Sequence, residues 1–96
     1  MTIGVIARVT VVDGKGPEFE AAFAVQAQGV RANEPGNKLY QLVKSRDEPN
    51  VYVVMELYDS DADLEAHRAA PHMVANRPAM APLIGAKTIV DIYDAV

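Results

Sequence analysis

The chain has 96 residues, half of them hydrophobic, with no cysteine and a formal charge of −4. That length supports one compact domain over residues 1–96 with a thin core. Lack of cysteine excludes disulfides, thiolate metal sites and a cysteine nucleophile, and an acidic chain without basic clusters has no electrostatic footprint for nucleic acid or an anionic membrane.

The opening stretch "MTIGVIARVTVV" has no charged leader before its apolar run, and Arg8 interrupts it. It reads as neither a signal peptide nor a membrane span, so a cytoplasmic location is expected. Residues 3–12 are dense in β-branched side chains and predict a strand. "DGKG" (13–16) is turn chemistry, and Pro17 suits the first turn of a helix. Phe19, Ala22, Phe23, Gln26, Ala27 and Val30 then recur on one face at helical spacing. Glu34 precedes Pro35, which biases it out of the helical region and ends the helix near Asn33. "KLYQLVKS" (38–45) and "VYVVMELY" (51–58) predict two further strands joined by the turn "RDEPN" (46–50). Ser60 with Asp63 three residues on resembles a capping box and opens a helix over 61–69. Pro71 ends it and starts another helical piece, which Pro78 and Pro82 limit. "KTIVDIYDA" (87–95) predicts the last strand. The order β-α-β-β-α-β, with a broken second helical region, predicts an α+β ferredoxin-like split βαβ domain with an antiparallel sheet.

The third strand is apolar on both faces, since Val51, Val53, Met55 and Leu57 alternate with Tyr52, Val54, Glu56 and Tyr58. The first strand is apolar on Ile3, Val5, Ala7, Val9 and Val11, and puts Ile6 on the other face. Two helical regions cover only one face of such a sheet. The expectation is a homodimer packed through the sheet faces, which would cover the other.

No phosphate loop, dinucleotide fingerprint, HExxH or nucleophile elbow is present. The two histidines of "LEAHRAAPHM" (64–73) lack the i,i+3 or i,i+4 spacing of helical metal ligands, and a proline lies between them, so no metal site is expected. His67 lies three residues after Leu64 and shares the inward side of its helix. Asp63 is placed to hold one ring nitrogen, which would leave the other free as a base. The alternative is a half-buried histidine satisfied by its surroundings. His72, just after Pro71, starts a helical turn and could equally be exposed. Tyr40, Glu56 and Tyr58 share even-numbered positions on the two middle strands. Facing the helices, they would be convergent polar groups in an apolar wall, as in a small-molecule pocket. Ala7, Val54, Met55 and Met73 could line it or simply pack the core. Arg8, Arg31, Arg77 and Lys87 could meet an anionic substrate or remain solvated.

Residues 33–73, "NEPGNKLYQLVKSRDEPNVYVVMELYDSDADLEAHRAAPHM", resemble the antibiotic biosynthesis monooxygenase family. The ordered set is a first helix closing on "EPG", an aromatic at Tyr40, a strand ending in Glu56-Leu57-Tyr58, and "L-x-x-H" followed by "xPH" (Leu64, His67, Pro71, His72). The likeness extends over nearly the whole chain. It implies a dimeric α+β barrel with a pocket between sheet and helices. It also implies a monooxygenase needing no metal or flavin cofactor, which uses molecular oxygen on hydroquinones, anthrones or polyketide-like phenols. On that resemblance His67 is the candidate base, Tyr40 and Tyr58 are hydrogen-bonding and stacking walls, and Glu56 and His72 orient neighbours or relay protons. Ala7, Val54 and Met73 could line the pocket, and Arg77 completes the candidate substrate-binding set as a donor for an anionic group.

A haem-degrading branch of the family is not implied: Ala7, His67 and Asn76 or Arg77 stand at its Asn, Trp and axial His positions, and the chain has no tryptophan. An isomerase branch acting on a phosphorylated hydroxy-ketone signal is the runner-up. It shares "EPGN", the Glu-x-Tyr strand end, the histidine followed by "PH", and "PLIGAKT" (82–88), and Arg31, Arg77 and Lys87 could serve its phosphate. A third possibility is a small-molecule-binding dimer without turnover, which a pocket filled by the protein's own side chains would favour.

Overall fold

Period-2 apolar runs and a 3.6-period helix face each form the element they imply. The computed structural model describes residues 1–96. Its elements are β1 (Ile3–Thr10), α1 (Gly16–Asn33), β2 (Asn37–Lys44), β3 (Val51–Tyr58), α2 (Asp61–Ala69), α3 (Pro71–Met80) and β4 (Ile89–Asp94), with a 3-10 turn at Ala81–Leu83. The strands form one antiparallel sheet in the order β2-β3-β1-β4. This is the ferredoxin-like α+β arrangement, with its second helical region split at Ala70, whose backbone is extended. No helix is long and apolar enough to cross a membrane.

One face of the sheet carries the helices. Rows of paired residues cross it: Tyr40, Glu56, Val5 and Ile92 in one, Leu42, Val54, Ala7 and Val90 in the next. Phe19, Phe23, Ala27 and Val30 of α1 press onto the rows containing Ala7, Val9, Tyr52 and Val54. Each fully buried phenylalanine or valine side chain here contributes about 1.5–3 kcal/mol. A second, smaller cluster joins Ile3, Val5, Tyr58 and Leu64.

Two local features set which side chains face inward. The β2–β3 pairing shifts by one residue between Asn37 and Leu39. Had the Asn37–Tyr58 register continued, Tyr40 would oppose Met55 on the open face. The bulge places it opposite Glu56 under the helices. Asn50, with φ 68°, closes the β2–β3 turn in the left-handed region that asparagine tolerates.

Several boundaries differ from the sequence expectation. Regular pairing of β1 stops at Thr10, and Val11 makes only an isolated bridge to Ile84. β4 begins at Ile89 rather than Lys87. α3 runs through Pro78 to Met80 instead of stopping there. Pro78 lacks the N–H that would reach the Val74 carbonyl, but Val74 is 47% exposed, so water can satisfy that oxygen. The helices also cover less of the sheet than expected. Val90 and Ile92 of β4, on the helix side, are exposed, as are Ile89 and Tyr93 on the opposite face.

Candidate functional site

Glu56 and His67 are the only buried ionisable side chains outside the tyrosines, and they lie between the two apolar clusters. β3 supplies Glu56 and Tyr58 from alternate positions, so both face the helices. α2 supplies His67 one turn after Leu64, from a helix started by Ser60, whose Oγ accepts the backbone N–H of Asp63 at 3.2 Å. The Tyr58 hydroxyl donates to Glu56 Oε1 at 2.6 Å. His67 Nε2 faces the same oxygen at 3.9 Å, outside hydrogen-bond range. The His67 ring is flanked by Tyr40 and Tyr58, with centroids 5.4 and 5.3 Å away.

The other side of His67 meets Glu34. His67 Nδ1 lies 2.8 Å from Glu34 Oε1 and 3.0 Å from Oε2. His72 of α3 reaches the same carboxylate, with Nε2 against Oε2. One carboxylate thus holds both histidines of the chain. A parallel chain runs from α3 to β2: Asn76 Nδ2 donates to Gln26 Oε1 at 3.2 Å, and Gln26 Nε2 donates to the Tyr40 hydroxyl at 2.7 Å. Tyr40 also stacks on Phe23, with centroids 5.2 Å apart. His72 and Asn76 are four residues apart, on one face of α3. No set of three histidine or acidic side chains is placed to hold a metal ion.

Burial sets the protonation states. Desolvation lowers the His67 imidazole below its ordinary value, with Glu34 opposing. The ring is therefore neutral at pH 7. Desolvation raises the Glu56 carboxyl, with the Tyr58 hydrogen bond opposing. Tyr40 and Tyr58 are both pushed up, chiefly by burial, and remain protonated donors.

The structure brings together five of the residues singled out from sequence: His67, Tyr40, Glu56, Tyr58 and His72. Ala7 and Val54, paired in the sheet, are part of the main core, and Met73 packs against its edge. Arg77 lies apart: it is exposed and its Nη2 donates to the Arg68 carbonyl at 2.6 Å, capping α2. Asp63 does not hold His67. Its carboxylate accepts from Ser60 Oγ at 2.8 Å and crowds Gly36, where a Cβ would come within 2.3 Å of Asp63 Cγ. Glu34 takes that role, 33 residues away in sequence. Sequence reasoning passed over Glu34, Gln26 and Asn76 as site groups. For Glu34 a signal existed: it caps the C-terminal end of α1, where the helix dipole disfavours an anion.

The expected pocket between sheet and helices is filled by the protein's own side chains. A cleft of about 570 Å³ lies beside it, between the α1–β2 turn and the α2–α3 junction, with Glu34, Asn37, Asp63, Ala66 and His72 in its walls. Smaller clefts border Tyr40 on one side and His72 on the other, and no cleft is lined by His67, Glu56 or Tyr58.

Comparison with known proteins bears on what such a site does. The family model for antibiotic biosynthesis monooxygenase matches residues 2–78. Among solved structures, a Caulobacter crescentus CB15 protein carrying that family name is 40% identical, with a TM-score of 0.96 over 99% of this chain and 90% of its own. A Nitrosomonas europaea protein carrying the same family name is 27% identical, with a TM-score of 0.87 over 100% of this chain and 99% of its own. SnoaB, a cofactor-independent oxygenase from Streptomyces nogalater, is 25% identical, with a TM-score of 0.85 over 99% and 93%. No curated protein matches the chain.

Proposed function

The chain belongs to the antibiotic biosynthesis monooxygenase family, and on that premise we propose that it is a cofactor-independent monooxygenase of a small aromatic substrate of the quinol, anthrone or polyketide class. The observation that carries the proposal is His67, a neutral buried imidazole between two tyrosines, with Nδ1 on Glu34 and Nε2 free of any hydrogen bond. The oxygenase activity of SnoaB, a structural relative over nearly the whole chain, supports the same reading.

In this mechanism Nε2 removes the acidic proton of the substrate. The resulting phenolate or carbanion gives an electron to O2, and the radical pair recombines to a peroxide. Collapse leaves one oxygen atom on the ring carbon and releases the other as water. A methylene of an anthrone becomes a carbonyl, or a quinol becomes a hydroxyquinone, with dioxygen as the four-electron acceptor. Tyr40, whose oxygen already accepts from Gln26, has its own proton available for the substrate oxyanion. Tyr58 and Glu56 close the opposite wall. His67 lines no cleft in this structure, so substrate entry requires movement of the side chains that wall Nε2.

An isomerase acting on a phosphorylated substrate is less well served, because Arg77 is turned to the Arg68 carbonyl and Arg31 alone of the candidate cations borders a cleft. We further propose a homodimer through the open sheet face, where Leu39, Val43, Ile89 and Tyr93 are exposed. Sedimentation of the wild type and of Leu57→Lys tests it: a monomeric wild type would exclude this interface.

The functional test is oxygen uptake with a panel of hydroquinones and anthrones. Uptake by the wild type that falls at least about a hundredfold in His67→Ala is expected. Equal turnover by the variant removes His67 from the mechanism, and saturable binding without uptake favours a non-catalytic binding dimer.

A further inference from the structure

We infer that Glu34 is a positioning residue, whose carboxylate fixes His67 with its proton on Nδ1 and its lone pair on Nε2, while His72 holds that carboxylate in place. This deepens the monooxygenase reading and rests on it for the role of His67 as base.

An ionised carboxylate only accepts hydrogen bonds, so each neutral imidazole touching Glu34 must present an N–H to it. For His67 the nitrogen concerned is Nδ1, at 2.8 and 3.0 Å from the two oxygens. Nε2 is then left bare, facing Glu56 Oε1 and flanked by Tyr40 and Tyr58. A free neutral histidine favours the opposite tautomer, so the preference here is imposed by the partner. His72, from a different helix, meets Oε2 through Nε2.

The backbone makes the arrangement rigid on one side and adjustable on the other. Glu34 ends α1 with its N–H on the Val30 carbonyl at 2.9 Å, and Pro35 fixes the chain after it. His72 approaches over Gly29, where a Cβ would lie 3.0 Å from His72 Cβ and 3.1 Å from the ring. A methyl group at position 29 would therefore push first on His72. The groups that face His67 and shape its titration are Glu34 at the end of α1, His72 of α3, Arg68 of its own helix, Glu56 and Tyr58 of β3 and Tyr40 of β2.

The chain has only two histidines, so the imidazole nitrogens can be assigned directly by NMR of 15N-labelled protein. At neutral pH the wild type is expected to show Nδ1 protonated and Nε2 unprotonated in His67, and Nε2 protonated in His72. In Glu34→Gln only the carbonyl oxygen can accept and the NH2 group donates, so the preference of His67 for a proton on Nδ1 is expected to weaken, while His72 can turn to water. Gly29→Ala is expected to shift the His72 signals and to broaden the His67 tautomer preference part-way. With a substrate that is turned over, Glu34→Gln should lower kcat about tenfold or more with KM changed less than about threefold. It should also move the acid limb of the pH profile downward, because the carboxylate that favours the imidazolium is gone. An Nε2-protonated His67 in the wild type, or both rings unchanged in folded Glu34→Gln, overturns the inference. Should Glu34→Gln fail to fold, unchanged ring signals in Gly29→Ala overturn it instead. The NMR readout needs no turnover, so failure of the oxygenase reading and failure of this one are seen separately.

Discussion

Replacing Glu34 by alanine strands two imidazole donors, and the structure says what each costs. His67 is 5% exposed, and its Nδ1 has no acceptor other than Glu34. A buried N–H left without a partner costs about 1–3 kcal/mol, toward the upper end when the lost acceptor was charged. The His72 side chain is 17% exposed and can turn to water, so its loss adds little. Removing an anion from the C-terminal end of α1 returns about 0.3–1 kcal/mol. The net is a destabilisation of about 2 kcal/mol, against a total of about 5–14 kcal/mol for a domain of this length. It corresponds to a fall in Tm of about 8–16 °C. Urea denaturation followed by circular dichroism, at pH 7.5 and fixed protein concentration, measures it. His72→Ala is the control: it leaves Glu34 and His67 paired and should cost under about 1 kcal/mol beyond its lost packing. A Glu34→Ala variant within about 0.5 kcal/mol of wild type, or one less affected than His72→Ala, would refute the claim that Glu34 satisfies a buried histidine.

Further consequences concern pH and packing. Because burial holds the folded-state His67 below its ordinary value near 6.5, the unfolded chain binds the proton first as pH falls, so stability is lost below about pH 6.5. His67→Gln should flatten that part of the curve in denaturation at a series of pH values. Glu56 has the opposite sign: its carboxyl is raised above its ordinary value near 4.5, so the folded state keeps the proton longer and loses stability as pH rises through that window. Glu56→Gln should lack that loss, and a wild-type and variant pair with parallel pH curves would argue against a buried carboxyl there. Gly36→Ala drives a Cβ into the Asp63 side chain and should cost about 1–3 kcal/mol. Much of it should be recovered in the Gly36→Ala, Asp63→Ala double variant by the same denaturation assay, and additive costs would show that the two residues do not touch.

Much of the frame was legible because local rules agree. β3 covers the eight residues of "VYVVMELY", and α2 spans 61–69 between the Ser60 cap and the Pro71 break. The shared even-numbered face of Tyr40, Glu56 and Tyr58 held because a bulge at Asn37–Leu39 restores the register. Nothing in the local sequence announces that bulge. Glu34 was passed over because its partners are distant in sequence, and the nearer Asp63 was taken by the Ser60 cap. Pro78 marks a boundary by local rules, yet the helix continues where the residue left without a backbone donor, Val74, is exposed. Whether a polar-lined interior stays open or closes on its own side chains depends on side-chain volumes packed across four elements, which no period in the sequence encodes.

Isotope labelling with 18O2 tests the oxygenase reading most directly. With a quinol or anthrone that supports oxygen uptake, mass spectrometry of the product should show one labelled oxygen atom, dependent on His67 and independent of added metal or flavin. Uptake without label in the product, or label incorporated equally by His67→Ala, would contradict it.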